Sequence, residues 1–132
     1  MSDISPQKLV RRCTEAGVVE IPQLDSALNE AGGADTELIN LTSVLLRKEL
    51  ITNWQLERLL TNKRDGYFYG KYKILYLVGA GTFARVYRAV NTENNRVCAV
   101  KVLRMRYSDD LGATKQSMLE GRMVIPLKHP NI

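Results

Sequence analysis

A glycine-rich segment in the second half of the chain carries the clearest chemical signal. It has the sequence Gly79-Ala80-Gly81-Thr82-Phe83-Ala84 and follows an apolar run that ends at Val78. Glycines let a backbone come close to a bound group, so that successive N–H groups can donate hydrogen bonds to phosphate oxygens. A lysine, Lys101, stands within a later apolar run, where lysine is an unusual residue. The two features together predict a phosphate-binding site.

The Gly-x-Gly-x-x-Gly/Ala pattern occurs in two unrelated kinds of nucleotide site, and a third kind is excluded. P-loop enzymes are excluded because no Gly-Lys-Ser/Thr follows the glycines. A dinucleotide-binding fold needs a crossover connection of at least about 10 residues, but only the β-forming run 85–90 precedes the polar loop 91–95. The acidic residue that binds the ribose in such a fold, expected about 20 residues later, is also missing. The spacing favours a two-stranded hairpin like the one that covers ATP in protein kinases.

Three further features follow the loop at spacings found in protein kinases. Val86 lies two residues after the last loop position, and Cys-Ala-Val-Lys at 98–101 fits the Val-Ala-Ile-Lys strand. A helix predicted from about Leu111 carries Glu120, and His-Pro-Asn-Ile at 129–132 follows nine residues later. With these features the sequence resembles the eukaryotic-type (Hanks-type) serine/threonine protein kinases, particularly the bacterial ones.

The resemblance covers about residues 70–132, departs from the family at Ala84, and implies roles for named residues. Val86 and Ala99 would form an apolar roof over adenine, while Lys101 would hold the α- and β-phosphates, oriented by an ion pair with Glu120. The implied ATP-binding residues are Val78, Gly79, Ala80, Gly81, Thr82, Phe83, Ala84, Val86, Ala99 and Lys101, and the implied catalytic residues are Lys101 and Glu120. On the predicted helix, the face turned toward the sheet would carry Glu120, Met123 or Val124, and Leu127.

Other parts of the kinase machinery have no counterpart in the sequence. These are the His-Arg-Asp-x-x-x-x-Asn catalytic loop, the Asp-Phe-Gly motif and the activation segment, which position the substrate hydroxyl and hold Mg²⁺. We therefore interpret the chain as the N-terminal fragment of an ATP-dependent kinase that phosphorylates protein hydroxyls, with no metal ligands of its own. The alternative is a non-catalytic, truncated relative that binds a protein partner through residues 1–65. A nucleotide-binding oxidoreductase fragment is a distant third.

The first half of the chain has helical periodicity up to about residue 62. Four helices are predicted from start and stop signals. The first runs from Ser5-Pro6 to Gly17, and the second from Pro22 to Gly32-Gly33. The third is capped by Asp35 or Thr36, and the fourth begins at a capping box of Thr52 and Gln55 and ends near Asn62. Apolar and polar residues recur at an offset of 32, in the pairs Leu9 and Leu41, Gln23 and Gln55, Leu24 and Leu56, and Leu28 and Leu60. One helical hairpin cannot bury both faces, whereas two stacked hairpins can.

The fold class predicted from these patterns is α+β. An all-α helical-hairpin repeat module at 1–66 is followed by a partial kinase small lobe at 67–132, with three antiparallel strands and one helix. The predicted strands are 72–78, 85–90 and 97–103. The module also resembles helical N-terminal modules found ahead of several bacterial ATP-dependent enzymes.

Charge and composition limit the partners. Residues 1–65 carry a net charge of −2 and residues 66–132 carry +7, and an acidic helical module is poorly suited to DNA phosphates. No apolar run approaches the ~18 residues of a membrane span, and no signal core is present. We therefore expect a cytoplasmic protein that binds ATP, a protein substrate of the parent kinase, and a protein partner of the helical module. We also expect self-association through an exposed sheet edge, but no binding of nucleic acid and no membrane contact in this segment.

Overall fold

The computed structural model describes residues 4–104, 118–119 and 122–127. The chain divides into two compact units, Met1–Tyr67 and Phe68–Ile132. The first unit contains four α-helices, and the described residues of the second form an antiparallel sheet. The fold is therefore α+β.

The helices of the first unit are α1 (Pro6–Ala16), α2 (Ile21–Ala31), α3 (Leu38–Arg47) and α4 (Asn53–Leu60). The predicted caps of α1 are confirmed, because the Ser5 hydroxyl accepts a hydrogen bond from the Lys8 N–H and the left-handed Gly17 (φ 73°) ends the helix. The predicted capping box of α4 is also confirmed, since Thr52 and Gln55 exchange side-chain-to-backbone hydrogen bonds. No helix in the described part of the chain combines the length and apolarity needed to cross a membrane.

The predicted start of α3 at Asp35 or Thr36 is wrong. Gly33–Asp35 form a short 3-10 turn, and α3 begins at Leu38 after Glu37. The Thr36 hydroxyl instead donates to the Ala31 carbonyl at 2.6 Å. Thr36 therefore satisfies the carboxyl end of α2, and it does not cap the helix that follows.

The turns after α1 and α3 have the same backbone geometry. After α1 the Val18 N–H donates to the Cys13 carbonyl at 3.3 Å, and after α3 the Leu50 N–H donates to the Leu45 carbonyl at 3.0 Å. Each is the six-to-one bond of a Schellman motif, whose left-handed residue is Gly17 in the first turn and Glu49 in the second. These two residues are 32 positions apart, which is the offset of the sequence repeat.

The first unit has a continuous apolar core. The buried core residues are Leu9, Cys13, Val18, Val19, Leu24, Ala27, Leu41, Val44, Leu45, Ile51, Leu59 and Tyr67. Leu9 and Leu41, which match in the repeat, are both fully buried. Gln23 and Gln55 also match in sequence, but Gln23 is exposed and Gln55 is buried, because Gln55 belongs to a capping box and Gln23 does not.

The strands of the second unit are β1 (Phe68–Tyr69), β2 (Tyr72–Ala80), β3 (Ala84–Asn91), β4 (Arg96–Arg104), β5 (Met118–Leu119) and β6 (Arg122–Leu127). Among the described residues they form one sheet in the order β1-β2-β3-β4-β6-β5, with every pair antiparallel. The three predicted strands correspond to β2, β3 and β4, each of which is two residues longer than predicted. The Asn91↔Arg96 pair closes the predicted polar hairpin.

The predicted helix is wrong over the residues that the structure describes. The stretch that would carry Met123 and Leu127 on one helix face is strand β6, which pairs with β4 from Ala99↔Leu127 to Arg104↔Arg122. Pro126 would interrupt a helix, whereas it is tolerated in a strand next to a sheet edge. This pairing also covers one edge of β4, while self-association through an exposed sheet edge stays a prediction. Glu120 and His-Pro-Asn-Ile at 129–132 lie outside the described residues.

Candidate nucleotide-binding site

The glycine-rich segment forms the end of β2, a short loop and the start of β3. Gly79 pairs with Val86 across the hairpin, and the loop at 81–83 is closed by the Gly81 N–H, which donates to the Ala84 carbonyl at 2.8 Å. The register of β2 shifts at two places, between Ile74 and Tyr76 and between Leu77 and Gly79. Val78 is the extra residue at the second shift, nearer the loop, and is 62% exposed. Bulges increase the local twist and are common beside functional sites.

Contacts among the described residues do not explain why residues 79 and 81 are glycine. Neither Gly79 nor Gly81 has the positive φ that favours glycine. A Cβ atom added to Gly79 would meet nothing within 4 Å in the described structure, and one added to Gly81 would meet the Ala84 oxygen only at 3.8 Å. Both backbones are therefore open to close approach by a group from outside the chain.

The lysine strand places three predicted site residues on one face of the sheet. Val86 pairs directly with Lys101, and Ala99 lies two residues before Lys101 on the same face, because strand side chains alternate. Directly paired side chains have Cβ atoms about 5 Å apart. Ala99 is buried and Lys101 is half-buried. The register thus brings an apolar surface and an ammonium group together next to Gly79.

Strand β6 supplies the next row of this face. Ile125 is directly opposite Lys101, and Leu127 is opposite Ala99. No ion pair or side-chain hydrogen bond joins Lys101 to any residue that the structure describes. Its predicted partner, Glu120, lies outside the described residues, so the Lys101–Glu120 ion pair stays a prediction.

The loop also covers a cavity of about 170 Å³, which is on the other face of the sheet. Its walls include loop residues 81–84 together with Arg85, Tyr87 and Val102. Arg85 pairs with Val102, and both alternate with Val86 and Lys101, so the cavity and the lysine lie on opposite faces. A cavity this small is below the range of about 300–1,000 Å³ typical of ligand pockets. We therefore place the candidate nucleotide site on the Lys101 face.

The cavity residues outside the glycine-rich loop, which are Tyr69, Arg85, Tyr87 and Val102, were not singled out from the sequence. Tyr69 and Tyr87 stack with ring centroids 5.9 Å apart, which gives the cavity an aromatic wall. The alternation of Arg85 and Tyr87 with Val86 is a period-two signal that assigns them to the opposite face from Val86. The loop residue Phe83 is 51% exposed. Together with Gly81, Thr82 and Ala84 it adjoins this cavity, and none of the other predicted site residues that the structure describes does.

About half of the chain has a kinase-like sequence. It is 36% identical over 63 residues to the serine/threonine-protein kinase PrkC of Bacillus subtilis, a match that covers 48% of this chain and 10% of PrkC. It is 33% identical over 75 residues to the DNA damage response protein kinase DUN1 of Saccharomyces cerevisiae, covering 57% of this chain and 15% of DUN1. Human mitogen-activated protein kinase kinase kinase kinase 3 is 30% identical over 61 residues, covering 46% of this chain and 6% of that protein.

The chain spans between 6% and 15% of the length of these three relatives. No family model matches the chain, and no solved structure matches it either.

Proposed function

We propose that this chain belongs to a serine/threonine protein kinase of the Hanks type and that its Lys101 face binds ATP. The observation that supports this most strongly is the register of β3 and β4. It sets Val86 opposite Lys101, with Ala99 on the same face, in a chain of which about half is similar to curated kinases. Transfer of phosphate from ATP to protein hydroxyls would be the activity of the whole protein.

The residues on this face suit the parts of ATP that they would contact. Backbone N–H groups of the segment 79–84 would bind phosphate oxygens, except that of Gly81, which already donates to the Ala84 carbonyl. The open approach at Gly79 and Gly81 leaves room for the phosphates. Val86 and Ala99 would pack against adenine, and the ammonium group of Lys101 would bind the α- and β-phosphates. ATP supplies the phosphoryl group, while these residues hold and orient the nucleotide.

ATP is expected to bind this chain weakly and to transfer no phosphate on it. Adenine in kinases lies between two lobes, and only a roof is present in residues 1–132. Losing half of the apolar contact, at ~25 cal/mol per Å², costs a few kcal/mol, which weakens a micromolar site toward millimolar. The aspartate and asparagine motifs that hold Mg²⁺ and the substrate hydroxyl in kinases have no counterpart in the sequence.

The test is a titration of the isotopically labelled 132-residue chain with ATP and Mg²⁺, followed by amide chemical shifts, which detect millimolar binding. We expect saturable shifts at residues 79–84 and at Val86 and Ala99. Lys101→Met should weaken binding about tenfold, since one charge-assisted contact to phosphate is lost. Lys71→Met is the matched control, because Lys71 is in the same unit and pairs with Glu93 at 3.3 Å.

Three results would contradict the proposal. The first is the absence of shifts at the loop amides with up to about ten millimolar ATP, a concentration above the millimolar dissociation constant expected here. The second is equal weakening by Lys101→Met and Lys71→Met, which would show that only the overall charge of the unit matters. The third is a set of shifts confined to Tyr87 and Val102, which would place the nucleotide in the cavity of the opposite face.

We also propose that the helical unit is a two-hairpin repeat. The support is the shared Schellman motif at Gly17 and Glu49, combined with full burial of the matched Leu9 and Leu41. Each hairpin would cover the apolar face of the other, so the two hairpins would fold together as one module.

A further inference from the structure

The helical unit has a second cavity, of about 270 Å³, between α1 and the carboxyl end of α4. Three basic side chains line it, those of Arg12, Lys63 and Arg64, and Glu15 is the acidic residue among its lining residues. The lining therefore has an excess of two positive charges. This local excess contrasts with residues 1–65 as a whole, whose net charge is −2.

The end of α4 places the two neighbouring basic residues at the cavity. Asn62 takes the left-handed conformation (φ 60°), and the Lys63 N–H donates to the Arg58 carbonyl at 2.8 Å. This Schellman-type ending turns the chain back across the helix end. Lys63 and Arg64 consequently reach the same cavity as Arg12, which is about 50 positions earlier in the sequence.

Arg12 is held in place by the helix end itself. Its Nη1 atom donates to the carbonyls of Leu59 at 2.7 Å and Leu60 at 3.3 Å, and the side chain is half-buried. The guanidinium therefore offsets the negative end of the α4 dipole. Its Nε and Nη2 atoms form no hydrogen bond with the described residues, so part of this fixed cation is available to a ligand.

Lys63 and Arg64 also differ from Arg47 and Lys48, another adjacent basic pair of this unit. Arg47 and Lys48 both form ion pairs with Glu30. Neither Lys63 nor Arg64 forms an ion pair within the described part of the chain. Two exposed cations without acidic partners, next to a third that is fixed, favour an anion with more than one negative charge.

We propose that this cavity binds the phosphate group of a phosphorylated peptide segment. A phosphoserine or phosphothreonine carries about −1.5 to −2 charges at pH 7, which matches the excess of two positive charges. Pairs of arginine with a carboxylate or a phosphate are among the strongest charge-assisted hydrogen bonds in proteins. The cavity volume is below the range of about 300–1,000 Å³ for drug-sized ligands, so a phosphorylated side chain suits it better than a nucleotide. The inference concerns the helical unit and goes beyond the proposed ATP site.

The test compares a fluorescent phosphoserine peptide with the same peptide unphosphorylated, both titrated with the full 132-residue chain and followed by anisotropy. We expect the phosphorylated peptide to bind at least about tenfold more tightly. The double variant Lys63→Ala, Arg64→Ala should lose about tenfold in affinity for it. The double variant Arg47→Ala, Lys48→Ala removes the same charge elsewhere on the unit and should change affinity less than about twofold.

Three results would overturn the inference. The first is equal binding of the two peptides, and the second is an equal loss of affinity in the two double variants. The third is a failure of inorganic phosphate to displace the phosphorylated peptide from the chain. Since the comparison of the two peptides needs no variant, a folding defect in a variant cannot obscure it. The result is also separable from the ATP site, because Lys101→Met should leave phosphopeptide binding unchanged, and the Lys63, Arg64 double variant should leave the ATP-induced shifts unchanged.

Discussion

At the scale of single residues, burial decides which side chains are chemically available. The Cys13 thiol is fully buried in the helical core, and burial raises its pKa to about 12. Burial is also the largest cause that raises the pKa of Tyr67, whose hydroxyl donates to the Lys63 carbonyl at 2.6 Å. Lys101, by contrast, is half-buried on a sheet face. Cys13 is therefore a packing residue, and Lys101 has the exposure that a ligand contact needs.

The helical unit is expected to lose stability as the pH rises above about 9. The Cys13 thiol has a higher pKa folded, about 12, than its ordinary value of 9.0, so the unfolded chain loses this proton first. The stabilisation by this protonated thiol is complete below pH 9 and is lost as the pH rises through 12. Between these values the free energy of unfolding should fall by about 1 kcal/mol per pH unit. Urea unfolding followed by helical circular dichroism between pH 8 and about pH 11 measures it.

Two variants separate the contribution of Cys13 from those of other groups. Cys13→Ala should flatten this pH dependence, whereas Cys98→Ala should retain most of it, because Cys98 lies in the other unit and is only half-buried. A slope in Cys13→Ala as steep as in the wild type would assign the effect to another group, of which Tyr67 is the first candidate.

At the scale of elements, the two interhelical turns reach one geometry with different residues. The left-handed position is Gly17 after α1 and Glu49 after α3, with φ values of 73° and 58°. A residue with a Cβ atom is strained in this conformation by about 1 kcal/mol, and glycine is not. The α3 turn persists because Val44, Leu45 and Ile51 are buried around it. Core packing thus offsets a local cost in the second turn that the first turn avoids.

Glu49→Gly is therefore expected to stabilise the helical unit by about 0.5–1 kcal/mol, because it relieves the left-handed strain. Gly17→Ala should destabilise it by about 1 kcal/mol for the opposite reason. The measurement is the urea midpoint of the helical transition. Lys48→Gly is the matched control, since Lys48 has an ordinary φ of −81° and glycine there should give no gain. A stabilising effect of Lys48→Gly equal to that of Glu49→Gly would refute the strain argument.

At the scale of the whole molecule, the chain consists of two units with separate secondary structure and opposite net charge. The last residues of the helical unit pack back against its own helix α4 and core. The Arg58 guanidinium lies over the rings of Trp54 and Tyr67, 5.0 and 5.5 Å from their centroids, and donates to the Asp65 carbonyl at 2.5 Å. Gly66, with φ 85°, makes the turn that brings Tyr67 back to the core. These contacts are all internal to residues 1–67.

A fragment of residues 1–67 is expected to fold alone, with a cooperative helical melt. A fragment of residues 1–65 should be less stable by about 2 kcal/mol, because it lacks Tyr67, which is 2% exposed in the folded unit. Thermal unfolding followed by circular dichroism compares the two fragments. A gradual, coil-like melt of the longer fragment would mean that the helical unit depends on the second half of the chain.

What the sequence by itself determined about this protein is local. The caps at Ser5 and Thr52 and the glycine stop at Gly17 bond only to residues within a few positions along the chain, so their residue types were sufficient to predict them. The three strands with clear apolar runs were predicted for the same reason. The kinase-like spacing of the glycine loop and Lys101 was also readable without a structure, because one hairpin connects them.

Only the tertiary structure decided the features that depend on a distant partner. The segment 122–127 is compatible with a helix or a strand in its apolar pattern, and pairing with the edge of β4 makes it a strand. Pro126 was the local signal against the helix. Residues from two helices assemble the basic cavity of the first unit, and bulges and register set which residues share the face of Lys101. Burial and backbone hydrogen bonding between remote segments outweigh local propensity at these places, because each strand edge or helix end must find a partner.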